Sequence, residues 1–110
     1  MTVFLLHCQG SYALQKRPET GLLAGLWEFP HVPGRLELPE ALAQLESWDI
    51  IPEDVERVSD KTHIFTHIQW DMHGWYIRCR NTPDRFQWAP PESRALPTAF
   101  RMFLDLDSIS

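Results

Sequence analysis

The stretch Gly21–Pro30, GLLAGLWEFP, decides the fold. It is a glycine-rich apolar run that ends in an aromatic, an acidic and a second aromatic residue followed by proline. Its last part, Leu26–Phe29, alternates once and stops at Pro30, which predicts a short strand. The polar loop before it, Lys16–Gly21, contains proline and glycine, which break regular structure. The stretch therefore predicts the turn and packing corner of a folded scaffold.

The residues before this corner predict a β-hairpin. Val3–His7 is apolar at nearly every position, which is typical of a strand covered on both faces. Gln9–Ser11 is a turn signal, and Tyr12–Lys16 returns as the second strand.

Two segments have helical spacing. Pro39–Trp48 begins with a proline and a glutamate that suit a first turn, and its apolar residues follow a helical repeat. Pro97–Leu106 is amphipathic and also begins with proline. The apolar positions of the two helices are Leu38, Leu42, Leu45 and Trp48, and Phe100, Phe103 and Leu104.

The remaining strands lie between these helices. Ile50–Val58 is a mixed segment that we interpret as a loop entering a strand, and Lys61–Cys79 has the strongest β pattern. The apolar parity changes within it, which predicts a bulge or tight turn near His73–Gly74. Arg85–Trp88 is a last short strand. The expected fold is α+β, a Nudix-like mixed or antiparallel sheet flanked by two main helices, in a single domain over residues 1–110.

Composition limits the function. The 110 residues are 44% hydrophobic and 23% charged, which indicates a globular protein. No apolar run approaches the ~20 residues that a membrane span needs, so no membrane partner is expected. The net charge of −5 argues against a nucleic-acid binder that acts alone through bulk electrostatics. Cys8 and Cys79 are interpreted as reduced thiols of a cytoplasmic protein.

Gly21–Pro30 also resembles the approach to the Nudix box, a helix whose glutamates bind magnesium. Gly34 and Glu40 keep the first spacing of that signature, but Trp48–Asp49 falls where Arg-Glu is required and no Glu-Glu pair follows. The predicted helix has only Glu40 and Glu46, on different sides. A metal site and active hydrolysis are therefore not expected.

Three histidines, His63, His67 and His73, lie in the β-rich stretch, and the first two would share a strand face. Zinc needs further converging ligands, and no cysteine or histidine has a supporting spacing, so we interpret them as structural. The segment Phe65–His67 has a second interpretation, since an exposed ring, hydroxyl and imidazole can address a nucleobase. A core phenylalanine, a strand threonine and a surface histidine remain the alternative.

Three motifs together resemble the C-terminal domain of the adenine DNA glycosylase of the MutY family. They are KRPETGLLAGLWEFP at Lys16–Pro30, HIFTHIQW at His63–Trp70 and ALPTAF at Ala95–Phe100, in order along nearly the whole chain. The resemblance implies a Nudix-like fold without hydrolase activity that recognises 8-oxoguanine opposite a mispaired adenine.

In that family a Phe-Ser-His loop probes the oxidised base, and the matching residues here are Phe65, Thr66 and His67. Phe65 is expected to support or wedge beside the base, and His67 to make a polar or phosphate contact. Thr66 keeps the hydroxyl of serine and adds a methyl that stiffens χ1. Lys16 and Arg17 are candidates for DNA-backbone contacts, or residues of a solvated loop.

The resemblance also implies what lies elsewhere. In the parent family, catalysis and an iron–sulfur cluster belong to an N-terminal helical domain, so this chain is expected to be an excised, non-catalytic domain without a cofactor. Its expected partners are that glycosylase domain and double-stranded DNA containing 8-oxoguanine:adenine, at a bacterial nucleoid. Two alternatives remain: a Nudix-type nucleotide pyrophosphohydrolase, and a protein-interaction module that uses Trp27, Trp75 and Trp88.

Overall fold

The computed structural model describes residues 1–104 of the chain. It begins with the predicted hairpin, formed by β1 (Thr2–Cys8) and β2 (Ser11–Lys16). The turn between them uses left-handed backbone at Gln9 (φ 52°) and Gly10 (φ 85°), a conformation that glycine adopts at little cost. The hairpin prediction is confirmed.

The GLLAGLWEFP stretch forms the predicted short strand, β3 (Trp27–Glu28), which pairs antiparallel with β2. A further strand, β4 (His31–Val32), follows Pro30 and pairs with the start of β1. The sequence did not indicate β4, because two residues are too few to show an alternating pattern.

The first helix is confirmed as α1 (Leu38–Ser47). Ala41 and Leu45 are its buried residues, and Trp48, the residue at its end, is also buried. Leu38 and Leu42, which the helical repeat placed on the same apolar side, are 40% and 37% exposed.

Two long strands follow, β5 (Pro52–Ile64) and β6 (Gln69–Cys79), paired antiparallel. Ile50–Val58 was interpreted as a loop entering a strand, and the strand begins early in it, since β5 starts at Pro52. Strand β5 lies at the edge of the sheet and its side chains are mostly exposed. Because it has no buried face, its sequence shows no alternation of apolar and polar residues.

The predicted bulge or turn near His73–Gly74 is also wrong. The pairing of β6 with β5 is regular there, and the chain turns earlier, at Phe65–Ile68. The parity changes because β6 is covered on both faces. Met72 and Tyr76 pack into one core and Ile77 into the other.

The last elements are β7 (Gln87–Ala89), a 3₁₀ turn at Pro91–Ser93 and α2 (Thr98–Arg101). The predicted helix Pro97–Leu106 is thus short within the described residues, with Pro97 before its first residue and turns after its last. Its final two positions lie outside the described residues.

The strand order is β3-β2-β1-β6-β5, with β4 on β1 and β7 on β2, and β1 runs parallel to β6. One face packs against α2 and the other against α1, so the α+β mixed-sheet prediction is confirmed. The α2 core includes Val3, Leu5, Leu14, Phe29, Met72, Tyr76, Phe100 and Phe103, and the α1 core includes Phe4, Leu6, Ala13, Ala41, Leu45, Trp48, Ile77 and Phe86.

No helix within residues 1–104 is long and apolar enough to cross a membrane.

Candidate nucleic-acid interface

The tight turn between β5 and β6, residues Phe65–Ile68, projects two polar side chains into solvent. The backbone N–H of Phe65 donates to the carbonyl oxygen of Ile68 at 2.7 Å and closes the turn. Thr66 and His67, at its tip, are exposed. A hydroxyl and an imidazole are therefore presented together on a hydrogen-bonded support. We call Phe65–Ile68 the recognition turn.

Phe65 faces the domain rather than solvent alone. Its ring is half-buried and meets the ring of Trp70 edge-on, with centroids 4.9 Å apart, and the ring of His63 at 4.7 Å. Edge-to-face aromatic pairs of this spacing are attractive. Of the two roles expected for Phe65, these contacts favour support of the turn over a free wedge.

The three sequence motifs meet beneath the recognition turn. Trp70, from the second motif, contacts Phe100 of the third motif with ring centroids 5.7 Å apart. Phe29, from the first motif, meets the ring of Phe100 edge-on with centroids 6.2 Å apart, and Phe65 packs against the same core. Segments far apart in the chain thus form one aromatic base under Phe65.

Lys16 and Arg17 differ in their surroundings. The Lys16 side chain is 52% exposed, with its Nζ 3.4 Å from a Glu19 carboxylate oxygen. The Arg17 side chain is 15% exposed, and its Nη1 donates to Glu28 Oε1 at 2.6 Å. DNA-backbone contact by either residue stays a prediction, although the Arg17 guanidinium is already bound to a carboxylate.

Glu28 is a buried carboxylate with several donors. Besides Arg17, Gln15 Nε2 donates to it at 2.7 Å and His31 Nε2 lies 3.0 Å from it. Burial opposes its ionisation, but the hydrogen bonds and charges of these neighbours outweigh burial, and the pKa of Glu28 is lowered from its ordinary value. The carboxylate is thus held ionised at the base of the site.

The residues do not fit a Nudix metal centre. Glu40 is used by the helix itself, because its Oε1 accepts the backbone N–H of Glu37 at 2.9 Å in a capping box. Glu46 is exposed. Within residues 1–104, no group of three or more histidine, cysteine, aspartate or glutamate side chains is placed to hold a metal ion.

The three histidines have separate environments. His63 contacts Phe65, and His67 lies in the recognition turn. His73 is buried and its Nδ1 pairs with Asp60, and that hydrogen bond together with one from Arg35 lowers the pKa of the Asp60 carboxyl. The structure therefore does not bring the histidines together.

The tryptophans proposed for a protein-interaction surface are half-buried. Trp75 Nε1 donates to Leu36 O at 3.0 Å and Trp88 Nε1 to Pro83 O at 2.9 Å. Sequence reasoning missed instead two exposed isoleucines, Ile64 just before the recognition turn (69% exposed) and Ile68 at its end (49% exposed). It also assigned no role to Trp70 or Glu28, since neither has a spacing that marks a site.

Comparison with known proteins gives concordant matches. A family model described as a NUDIX domain matches residues 2–106. Mouse adenine DNA glycosylase is 35% identical over 89 residues, which cover 76% of this chain and 17% of the mouse protein. Rat adenine DNA glycosylase is 36% identical over 62 residues, which cover 51% of this chain and 12% of the rat protein. The chain thus spans less than a fifth of these relatives' length.

The fold is shared with a solved structure, the complex between the C-terminal domain of mouse MUTYH and human PCNA. The superposition has a TM-score of 0.63 at 23% identity and covers 98% of this chain and 86% of the matched chain.

Proposed function

The chain belongs to the NUDIX domain family, and from that premise we propose that it is the lesion-recognition domain of an adenine DNA glycosylase. It reads 8-oxoguanine opposite a mispaired adenine in double-stranded DNA and excises no base itself. The observation that carries the proposal is the recognition turn, where Thr66 and His67 are exposed and Phe65 packs on aromatic rings from all three motifs.

The hydroxyl of Thr66 can distinguish the two purines. Oxidation converts N7 of guanine from an acceptor into an N–H donor, whereas ordinary guanine offers a lone pair there. The hydroxyl oxygen accepts a hydrogen bond from that N–H. Because the branched side chain has few χ1 rotamers and lies in a closed turn, the oxygen is presented in a narrow range of directions.

The neighbours of Thr66 have distinct roles in this proposal. The ring of Phe65 holds the turn through Trp70, as the edge-on contact at 4.9 Å indicates. His67 is exposed, so its imidazole is accessible to a phosphate or to the edge of the base, and in this proposal it contacts one of them. Lys16, exposed at the end of β2, remains the better placed of the two basic residues for a DNA-backbone contact.

The parent protein supplies the rest. We propose that excision of adenine, and the iron–sulfur cluster expected with it, belong to a separate N-terminal glycosylase domain. The net charge of −5 supports this division, because phosphate neutralisation by lysine and arginine provides most nonspecific DNA affinity. The cytoplasmic location, at a bacterial nucleoid, stays part of the proposal.

The competing hydrolase function finds no support in α1. Its first-turn carboxylate, Glu40, caps the helix and Glu46 is exposed, so the chain lacks a converging set of oxygen ligands within residues 1–104. Magnesium-dependent release of phosphate or pyrophosphate from nucleotides by the purified chain would favour hydrolysis and contradict the proposal.

The experiment uses the full-length protein that carries this sequence. Thr66→Val removes the hydroxyl while keeping the branched shape, and Thr66→Ser is the matched control that keeps the hydroxyl. Adenine excision is measured opposite 8-oxoguanine and opposite guanine. We expect Thr66→Val to reduce the preference for 8-oxoguanine by roughly 5- to 150-fold, which corresponds to the free energy lost when the N–H at N7 of the base is left without an acceptor. Thr66→Ser should retain the preference.

Equal loss on both substrates, or no loss, would overturn the role of Thr66 and with it the proposed function.

A further inference from the structure

A largely buried ion pair lies beside Trp70, the ring that Phe65 of the recognition turn contacts. Arg17 and Glu28 have side chains that are 15% and 7% exposed, and their atoms Nη1 and Oε1 are 2.6 Å apart. Arg17 Nε also donates to the carbonyl oxygen of Leu22 at 3.1 Å, so the guanidinium is fixed from two directions. A residue selected only for phosphate contact would not need such burial.

The guanidinium of Arg17 lies over the ring of Trp70. Its Cζ is 5.3 Å from the ring centroid, within the range of an attractive cation–π contact. Trp70 in turn meets Phe65 edge-on at 4.9 Å. Contacts therefore run without a gap from Glu28 through Arg17 and Trp70 to the recognition turn.

Glu28 secures a second route to the same tryptophan. His31 Nε2 lies 3.0 Å from Glu28 Oε1, and the His31 ring stacks on Phe100 at 6.0 Å with an interplanar angle of 23°. Phe100 contacts Trp70 at 5.7 Å. One carboxylate thus anchors both the cation and the aromatic ring that border Trp70.

We propose that Arg17 is a positioning residue for lesion recognition. Held by Glu28, its guanidinium orients Trp70, which fixes the ring of Phe65 and, through it, the direction of the Thr66 hydroxyl. The inference rests on the proposed function, because a fixed hydroxyl matters only if it reads a base. Discrimination by one hydrogen bond depends on its direction, so loosening the support reduces selectivity before it reduces binding.

Arginine suits this position better than lysine. Its planar guanidinium donates to a carboxylate and stacks on a ring at the same time, whereas an ammonium is a compact point charge. Arg17→Lys should therefore restore only part of what Arg17→Gln removes.

The first test measures excision by full-length variants opposite 8-oxoguanine and opposite guanine. Arg17→Gln should lower the preference for 8-oxoguanine by about two- to fivefold, the equivalent of one cation–π contact, and Arg17→Lys by less. Lys16→Gln is the matched control, since it removes the same charge from the neighbouring residue, which is 52% exposed and bound to Glu19. It should change both substrates alike.

The second test follows hydrogen exchange in the same proteins, in a peptide that spans the recognition turn. Its reporter is the Phe65 N–H, which is bonded to Ile68. Arg17→Gln should accelerate exchange there and leave β1 protected, whereas general destabilisation would accelerate both.

The two proposals fail separately. If Thr66→Val leaves the 8-oxoguanine preference intact, the proposed function is overturned. If Thr66→Val lowers that preference while Arg17→Gln behaves like Lys16→Gln, or accelerates exchange in β1 and the turn equally, the positioning role is overturned and the proposed function stands.

Discussion

Replacing Gly74 with alanine should destabilise the domain, because the methyl group would enter space that Phe103 fills. A Cβ at Gly74 would lie 2.6 Å from Phe103 Cε1, 3.0 Å from Phe103 Cδ1 and 3.2 Å from Leu5 Cδ1. Carbon atoms pack best at about 3.5–4.0 Å, so the phenylalanine ring would have to move by about 1 Å.

That movement is restricted. Phe103 is 1% exposed and Leu5 is fully buried, and the carbonyl oxygen of Phe103 accepts the hydroxyl of Tyr76 at 2.7 Å. Overpacking a well-filled core costs about 1–3 kcal/mol. Alanine recovers about 0.4–1 kcal/mol by restricting the unfolded chain, so the net loss should lie below about 2.6 kcal/mol, with a central value of about 1.3 kcal/mol.

The assay is urea unfolding of four proteins: the wild type, Gly74→Ala, Phe103→Leu and the double variant. A smaller side chain at position 103 makes room for the methyl group, so the double variant should be more stable than additivity predicts by about 1 kcal/mol. Gly34→Ala is the control, since nothing lies within 4 Å of its Cβ and only its φ of +82° opposes alanine. Phe103→Leu should not rescue it.

The steric reasoning would be refuted if Gly74→Ala were as stable as the wild type. It would also be refuted if the changes in unfolding free energy of Gly74→Ala and Phe103→Leu added within about 0.3 kcal/mol.

Two further predictions concern ionisable groups. The pKa of Glu28 is lowered from 4.5, so the ionised carboxylate stabilises the fold above that pH, and this stabilisation is lost as the pH falls through the folded pKa. Between about pH 6 and pH 3, the urea midpoint of Glu28→Gln should therefore fall less than that of the wild type. Parallel curves for the two proteins would contradict this. Burial raises the pKa of Cys79 to about 12. In the Cys8→Ala variant, where Cys79 is the remaining thiol, a disulfide reagent at about pH 8 should react slowly until urea unfolds the protein. Rapid reaction of the folded variant would contradict the burial of Cys79.

The elements that were predictable from the sequence are those with a strong local pattern. The hairpin, the short strand at Trp27–Glu28 and helix α1 have turn residues or a repeat that only one structure satisfies. The full extent of strand β5 was not predictable, because an exposed edge strand takes its hydrogen bonds from β6 and needs no apolar face. The parity change in β6 was misread, since burial on both faces removes the alternation.

The candidate site divides in the same way. The polar tip, Thr66 and His67, was identified from residue type and resemblance, and the structure places both in an exposed turn. Their role in reading DNA stays a prediction. Arg17 was expected either to contact the DNA backbone or to lie in a solvated loop, and its contacts with Glu28 and Trp70 were not foreseen. Nothing local to Lys16–Gly21 indicates which partner a long side chain will find.

The sequence by itself determined the chemistry on offer: a hydroxyl and an imidazole after a strand, and a first helix whose two acids do not form a metal site. Only the tertiary structure decided how that chemistry is held. The parallel pairing of β1 with β6 and the packing of α2 bring Arg17, Trp70 and Phe100 together. Such contacts join residues far apart in the chain, and they depend on burial and directional packing that no local pattern encodes.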